Sequence, residues 1–557
     1  MTKRQLSLFL LLLCAWANPS WAAESAEHYG FVSVLPPIIA IVLALITRQV
    51  LPSIFLGLWL GAWALHDFSF SGLGASLLES FQTYVLNSFT DPDKAAIILF
   101  SLMVGGMVGI VSANGGMTGV VERISGWVRD VRSACTATAV LGLAIFFDDY
   151  ANTLIVGNTM RPLTDANRVS REKLAYLVDS TAAPVACVAL VTTWIGYEVG
   201  LVQDAISDIS GYDQPAYLVY LNSLAYSFYP FLALFFVFLV SWTGRDFGPM
   251  LAAEQRARQG GPVSASSAEE QQQAAQEHEL TTGKSSGAIN AILPVLVLVG
   301  TVMYGLWHTG TASLLADDPK LTEFGLRDVI GAADSYKALM WGSLLGVLTA
   351  FTITTARRIL SLEATIQAWF SGIKSMLMAM IILLLAWSLS AVTENLGTAQ
   401  YLVEILPDAL APGLLPALVF ILAAATAFAT GSSWGTMGIL LPLVLPLAWA
   451  LLGKNDMSSP EHWHIIYSSV AAVLTGAVWG DHCSPISDTT ILSSMASDCN
   501  HIEHVRTQLP YAMLVGMTTV VVCTIPAGFG MPWWACMAIG AALLSAVLWK
   551  FGRRAEA

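Results

Sequence analysis

Apolar runs recur along this chain from residue 31 to residue 550. About eleven of them approach the roughly 20 residues that carry a helix across a bilayer. In hydrocarbon every backbone amide must find a partner inside the protein, and a helix satisfies its own. The sequence therefore predicts an all-α polytopic membrane protein with about eleven transmembrane helices. Composition agrees. The chain is 55% hydrophobic and 12% charged, with a mean hydropathy of +0.64, whereas soluble domains are about a quarter charged. The lipid bilayer is the expected partner, and nucleic acid is not. The net charge of −13 says little about partners, because the acids fall mostly in loops on one side.

Residues 1–22 read as a signal peptide. Lys3 and Arg4 form a basic end, 6–17 an apolar core, and Ser20 and Ala22 small residues before cleavage at Ala23. An uncleaved anchor is the alternative. Basic loops then set the orientation. Those with Arg123, Arg129, Arg132, Arg161, Arg168, Arg171 and Lys173 fall inside, as does the tail with Lys550, Arg553 and Arg554. Acidic loops with Asp91, Asp93, Glu198 and Asp204 fall outside. The expected setting is a bacterial-type inner membrane, with the N-terminus outside and the C-terminus cytoplasmic. Seven scattered cysteines without a CxxC pair argue against a disulfide framework.

The Gln-, Ala- and Ser-rich stretch 245–286 reads as a flexible cytoplasmic linker between a first half, 23–244, and a second, 287–557. Its "TTGKSS" mimics part of a phosphate loop, but His278 stands where the loop needs glycine. No HExxH motif occurs. An enzyme is not expected, nor is a cofactor.

Four polar interruptions break the apolar pattern. Residues 133–160 are too short for two spans and predict a re-entrant hairpin tipped by "FFDDYANT". Residues 174–197 predict a broken helix interrupted by "DSTAAP" at 179–184. A second hairpin, 413–452, carries "ATGSSWGTMG", and a second broken helix, 465–495, carries "GDHCSPISDTT". Irregular backbone at such depth is tolerated only when buried in protein or lining a wet cavity. The order of parts matches between halves, with "NGG" (114–116) against "NLG" (395–397). One set enters from the inside and the other from outside, which predicts an inverted repeat with its site near mid-membrane.

Charged groups in a membrane core are costly and usually functional. Asp148, Asp149, Asp179, Asp481 and Asp488 all fall in the predicted interior. Carboxylates among hydroxyls, amides and freed carbonyls suit a hard cation such as Na⁺. The same carboxylates can take a proton instead, and that competition is the simplest basis for exchange. The plainer readings are that the aspartates cap broken helices and that Ser432, Ser433, Ser484 and Ser487 satisfy unwound backbone. "GGMVG" (105–109) reads as close helix packing. Asp165, Asp498, His501 and His504 read as loop charge. A zinc site among His482, Cys483, Asp498, Cys499 and His501 fits no standard ligand spacing.

"GDHCSPISDTTILSS" with "CNHIEHVRTQLPYA", and "FFDDYANTLIVGNTMRPLTD" with "REKLAYLVDSTAAPVA", resemble the NhaC-type sodium/proton antiporter family, from about residue 31 to the end. The resemblance implies an ion-transporter fold with two hairpins and two broken helices. It carries an ion site onto Asp148, Asp149, Asn152, Thr153, Asp179, Ser180, Thr181, Asp481, Ser484, Ser487, Asp488 and Thr489. The expected function is secondary active transport, Na⁺ exchanging for H⁺ at the buried aspartates by alternating access, with Na⁺ at Asp148, Asp149, Asp481 and Asp488. The alternative is a Na⁺- or H⁺-coupled carrier of a small organic acid or amino acid, contacted by Ser432, Ser433, Asn152 and Trp194. Na⁺, H⁺ and a small organic solute are the expected partners, with a second copy of the chain as a candidate homodimer mate.

Overall fold

The computed structural model describes residues 29–555, apart from 48, 191, 208, 210, 265–285, 318–324, 399–400 and 402–409. The expected signal peptide and the centre of the expected linker lie outside the described residues.

The described chain is almost entirely helical. Among the described residues, eight helices are long and apolar enough to cross a membrane, and the bent pair Ala216–Tyr226 and Phe228–Thr243 makes a ninth. Three shorter apolar helices, Gly30–Ala44, Val50–Ala64 and Val131–Ala144, accompany them. This is the architecture of a multi-pass membrane protein. Long crossings are fewer than the expected eleven because several apolar stretches are divided. Residues 171–207 form two helices, as do 464–496.

Lipid tails do not drive helices together, so small residues that admit close backbone approach take over. Gly105 and Gly109 on Pro92–Ala113 meet Gly372 on Leu362–Asn395; a methyl group on Gly109 would lie 2.3 Å from the Ala368 carbonyl. Gly476 and Gly480 on His464–Cys483 close in the same way on the Phe420 and Ala424 carbonyls of Leu415–Thr430.

The first hairpin is Val131–Ala144, a turn through 145–148, and Asp149–Ala166. Asp130 and Ser133 form a capping box at its entry, and hydrogen bonds from Ser133 hold the exposed Asp130 carboxyl below the usual range. The second hairpin is Leu415–Thr430, Gly431 in a left-handed turn, and Ser433–Lys454. Its tip sits on the second broken helix, whose break is 484–487.

The first broken helix differs from expectation. "DSTAAP" is not a break, because Arg171–Ala186 is continuous through Asp179 and Pro184. Thr181 keeps the turn intact by donating to the Leu177 carbonyl at 2.8 Å. The helix ends only at Ala186, and the next, Ile195–Ser207, begins at Ile195.

The start of the expected linker is also folded. Arg245–Asp246 pairs antiparallel with Arg553–Arg554, and Gly248–Arg258 packs on the bundle. Asp246 is buried and pairs with buried Lys173, while Tyr511 donates to Asp246 at 2.7 Å. Arg256 pairs with Glu172, and Glu254 accepts from both Ser170 and Arg258. Composition hid most of these contacts, since Lys173, Glu172 and Ser170 lie more than 70 positions from their partners.

Candidate functional site

The expected site residues gather in two adjoining groups. The first surrounds the tip of the first hairpin. Asp148 is the N-cap of Asp149–Ala166, accepting from the Ala151 amide at 2.7 Å and from the Thr193 hydroxyl at 3.2 Å. A carboxylate there meets free amides and the positive end of the helix dipole. Asn152 uses its amide nitrogen as a stitch, donating to the carbonyls of Gly142 (2.7 Å), Ile145 (3.0 Å) and Thr181 (2.9 Å). The tip is thereby fixed to the Arg171–Ala186 helix. Gly142 lets Thr181 approach, since a methyl group there would lie 2.1 Å from the Thr181 hydroxyl.

That stitching leaves four oxygens unspent. Both carboxylate oxygens of Asp149, Oδ1 of Asn152 and Oγ1 of Thr153 are buried without a hydrogen-bond partner. Positions 149, 152 and 153 are spaced i, i+3, i+4 and share one helix face. Asp149 faces the indole of Trp194, which is fully buried. Trp194 in turn packs edge-on against Trp434 of the second hairpin, with ring centroids 5.3 Å apart.

The second group surrounds Asp179. Its carboxylate accepts from Gln508 (2.5 Å), Thr490 (3.2 Å) and Ser493 (3.3 Å). His482 and His504 stand 3.7 Å and 4.0 Å away. His482 links Ser180 (3.0 Å) to Tyr229 (2.7 Å) through its two ring nitrogens. Gln508 also donates to the His482 carbonyl and meets His504 at 2.9 Å. Asp481 accepts from Thr489 at 3.0 Å, and Ser487 lies 3.0 Å from Thr489.

Other expected residues have structural roles. Ser484 donates to the Phe428 carbonyl at 2.6 Å, tying the break to the second hairpin. Ser432 caps Ser433–Lys454 by accepting from Gly435 at 3.1 Å. Ser433 is buried in the first turn of that helix. Asp488 is exposed, contrary to its expected place in the interior. It occupies the first helical position after Ser487, with Tyr150 of the first hairpin beside it. Tyr150 of the first hairpin has all four expected aspartates, Asp148, Asp149, Asp481 and Asp488, around it. No cluster of three His, Cys, Asp or Glu side chains suited to a metal ion occurs among the described residues, so the zinc set does not assemble.

Sequence reading missed several members. His504 is fully buried beside Asp179, not loop charge. His482 is a hydrogen-bonded member of the network. The signal for His504 and Gln508 was available: they stand four apart on one face of the helix His501–Thr518. Thr193 and Tyr229 carried none. Asp165 and Asp498 do behave as peripheral charge, both pairing with Arg171.

A profile of the Na⁺/H⁺ antiporter family matches residues 185–528. An uncharacterized protein of Haemophilus influenzae is 32% identical over 491 residues, 87% of this chain and 89% of that one. The arginine/ornithine antiporter ArcD of Halobacterium salinarum is 40% identical over 52 residues, 9% of this chain and 11% of its own length. Two solved transporters share the fold. YdaH of Alcanivorax borkumensis superposes with a TM-score of 0.55 at 16% identity, covering 82% of this chain and 90% of its own. MtrF of Neisseria gonorrhoeae, from a class of antimetabolite efflux pumps, does so at 0.52 and 14%, covering 95% and 96%. The helical membrane fold, the buried carboxylates and these similarities converge: the chain is a secondary transporter, not an enzyme, and it belongs to the Na⁺/H⁺ antiporter family.

Proposed function

We propose that the chain exchanges Na⁺ for H⁺ across a bacterial-type inner membrane, with its C-terminus cytoplasmic. The observation that carries this reading is the set of unspent oxygens on one helix face: Asp149 Oδ1 and Oδ2, Asn152 Oδ1 and Thr153 Oγ1. A buried oxygen without a donor is expensive. An alkali ion accepts several such oxygens at once, and a proton on Asp149 satisfies the carboxylate alone. Either ligand relieves the site and each excludes the other, which is the condition for exchange. Asp179 and Asp481 form the second acidic group, where His482 and His504 offer proton acceptors. The paired order of hairpins and broken helices supports an inverted repeat, so that rocking one half on the other would expose the site to alternate sides.

Reconstituted vesicles loaded with a pH-sensitive dye test this directly. Addition of Na⁺ alone should move protons, and Asp149→Asn should abolish the response while the protein remains folded. A wild-type protein that stays silent to Na⁺ but responds to Na⁺ plus an amino acid would overturn the reading. That outcome would favour the second reading, a coupled carrier of a small organic solute. The Trp194–Trp434 pair between the hairpin tips and the short similarity to ArcD favour it. Against a carboxylate substrate, Lys94 and Lys173 are each already paired with an aspartate.

A further inference from the structure

Glu198 belongs to neither acidic group. It lies in the first turn of Ile195–Ser207 and is fully buried. Neither carboxyl oxygen has a hydrogen-bond partner. The groups facing it are the Tyr220 hydroxyl and the Cys187 thiol, and the Tyr220 hydroxyl is itself unpartnered. Neighbouring Tyr197 is committed elsewhere, donating to the Trp434 carbonyl at 2.5 Å.

An acid in a first helical turn commonly serves the free amides there. Here Thr192 fills that role, its hydroxyl accepting from the Trp194 amide at 3.1 Å and the Ile195 amide at 3.2 Å. Glu198 is therefore not needed as a cap. An ionised carboxylate in this position has no cation beside it, and the donors facing it are the neutral Tyr220 hydroxyl and Cys187 thiol. As a carboxylic acid it demands far less of its surroundings.

Its position is connected to the ion site. The Glu198 amide donates to the Trp194 carbonyl at 2.9 Å, the Trp194 indole faces Asp149, and Thr193 donates to Asp148. Residues 193–198 thus run from the first hairpin tip to Glu198 within about one helical turn.

We propose that Glu198 is a second proton-binding site of this transporter, separate from the aspartates and occupied as a carboxylic acid in this conformation. Release breaks only the O–H bond. The proton passes to water admitted when the Trp194–Trp434 contact opens, and the carboxylate remains until reprotonated. Its place in the transport cycle rests on the proton-coupled reading above; its occupancy by a proton does not.

Infrared spectroscopy of the purified full-length protein at neutral pH reads the occupancy. Glu198→Gln should lose one protonated-carboxyl carbonyl stretch, and Glu198→Asp should retain that band at a shifted position. An undiminished band in Glu198→Gln overturns the proposal. Should that variant fail to fold, an unshifted band in Glu198→Asp overturns it equally. In vesicles, Na⁺-driven proton movement should fall on the order of tenfold or more in Glu198→Gln, with an altered pH profile, and recover in Glu198→Asp. A wild-type pH profile in Glu198→Gln overturns the transport role. Wild-type vesicles inert to Na⁺ would defeat the antiport reading, and the infrared comparison would still decide Glu198.

Discussion

The two hairpin tips are built alike and equipped differently. Each turns from one helix into the next, and each second helix starts at a side-chain cap, Asp148 in one and Ser432 in the other. At the first tip the cap is a carboxylate, and the second carboxylate that follows leaves, together with Asn152 and Thr153, four oxygens unsatisfied. At the second tip the corresponding polar atoms are spent. Ser432 caps Gly435, and Thr436 returns a bond to the Ser432 carbonyl at 3.0 Å. Gly431 presses on the Ile486 carbonyl. One tip is arranged to receive a ligand and the other to hold a neighbour. Similar architecture therefore does not imply similar chemistry, and the residues left unsatisfied are the ones that separate the two.

Asp149→Asn should break this contrast most severely. It removes the one charge on the unsatisfied face, so Na⁺-driven proton movement in vesicles should fall to background while size-exclusion behaviour stays normal. Normal transport in the variant would move the ion site to the Asp179–Asp481 group. The next largest effect is expected in stability. The helix carrying the first tip's support, Arg171–Ala186, is anchored by Lys173 and Asp246, both buried. Lys173→Met strands a buried carboxylate and should cost ~3–5 kcal/mol, seen as a lower thermal midpoint in detergent. The double variant Lys173→Met, Asp246→Leu should recover much of that loss, since no lone charge remains. A double variant no better than the single would show that Tyr511 and the Arg245–Asp246 strand, rather than charge, carry the anchor.

How much of this could be read from sequence divides along a physical line. Features set by local pattern were legible: the apolar runs, the two hairpin tips and the second break around Pro485. The first break was misplaced because Pro184 and a cluster of small hydroxyls look like a helix stop. In a buried helix they are accommodated, since Thr181 bonds back to Leu177 and neighbouring helices cover the freed backbone. Features set by partners distant in sequence were not legible. His482 joins Ser180 and Tyr229 across some 300 and 250 positions, and Asp246 finds Lys173. Nothing local distinguishes such residues from loop charge.

The second tip should yield smaller effects, and these sharpen the contrast. Gly431 has φ of +69° and a Cβ there would lie 2.4 Å from the Ile486 carbonyl. Gly431→Ala meets both the left-handed backbone and the contact, and should cost ~1–3 kcal/mol. It should also loosen the 484–487 break, raising hydrogen exchange there. Ser432→Ala removes only a cap and should cost ~1 kcal/mol, with Na⁺-driven exchange kept near the wild-type level. The reason is that Ser432 offers its oxygen to the Gly435 amide, so the lone pair an ion would need is already directed at the helix. If Ser432→Ala instead abolished exchange, the cap would have to release Gly435 during transport, and the two tips would be equivalent ligands reached in different states. Hydrogen exchange at the Gly435 amide, measured with and without Na⁺, separates these cases: protection unchanged by Na⁺ keeps the second tip as an anchor.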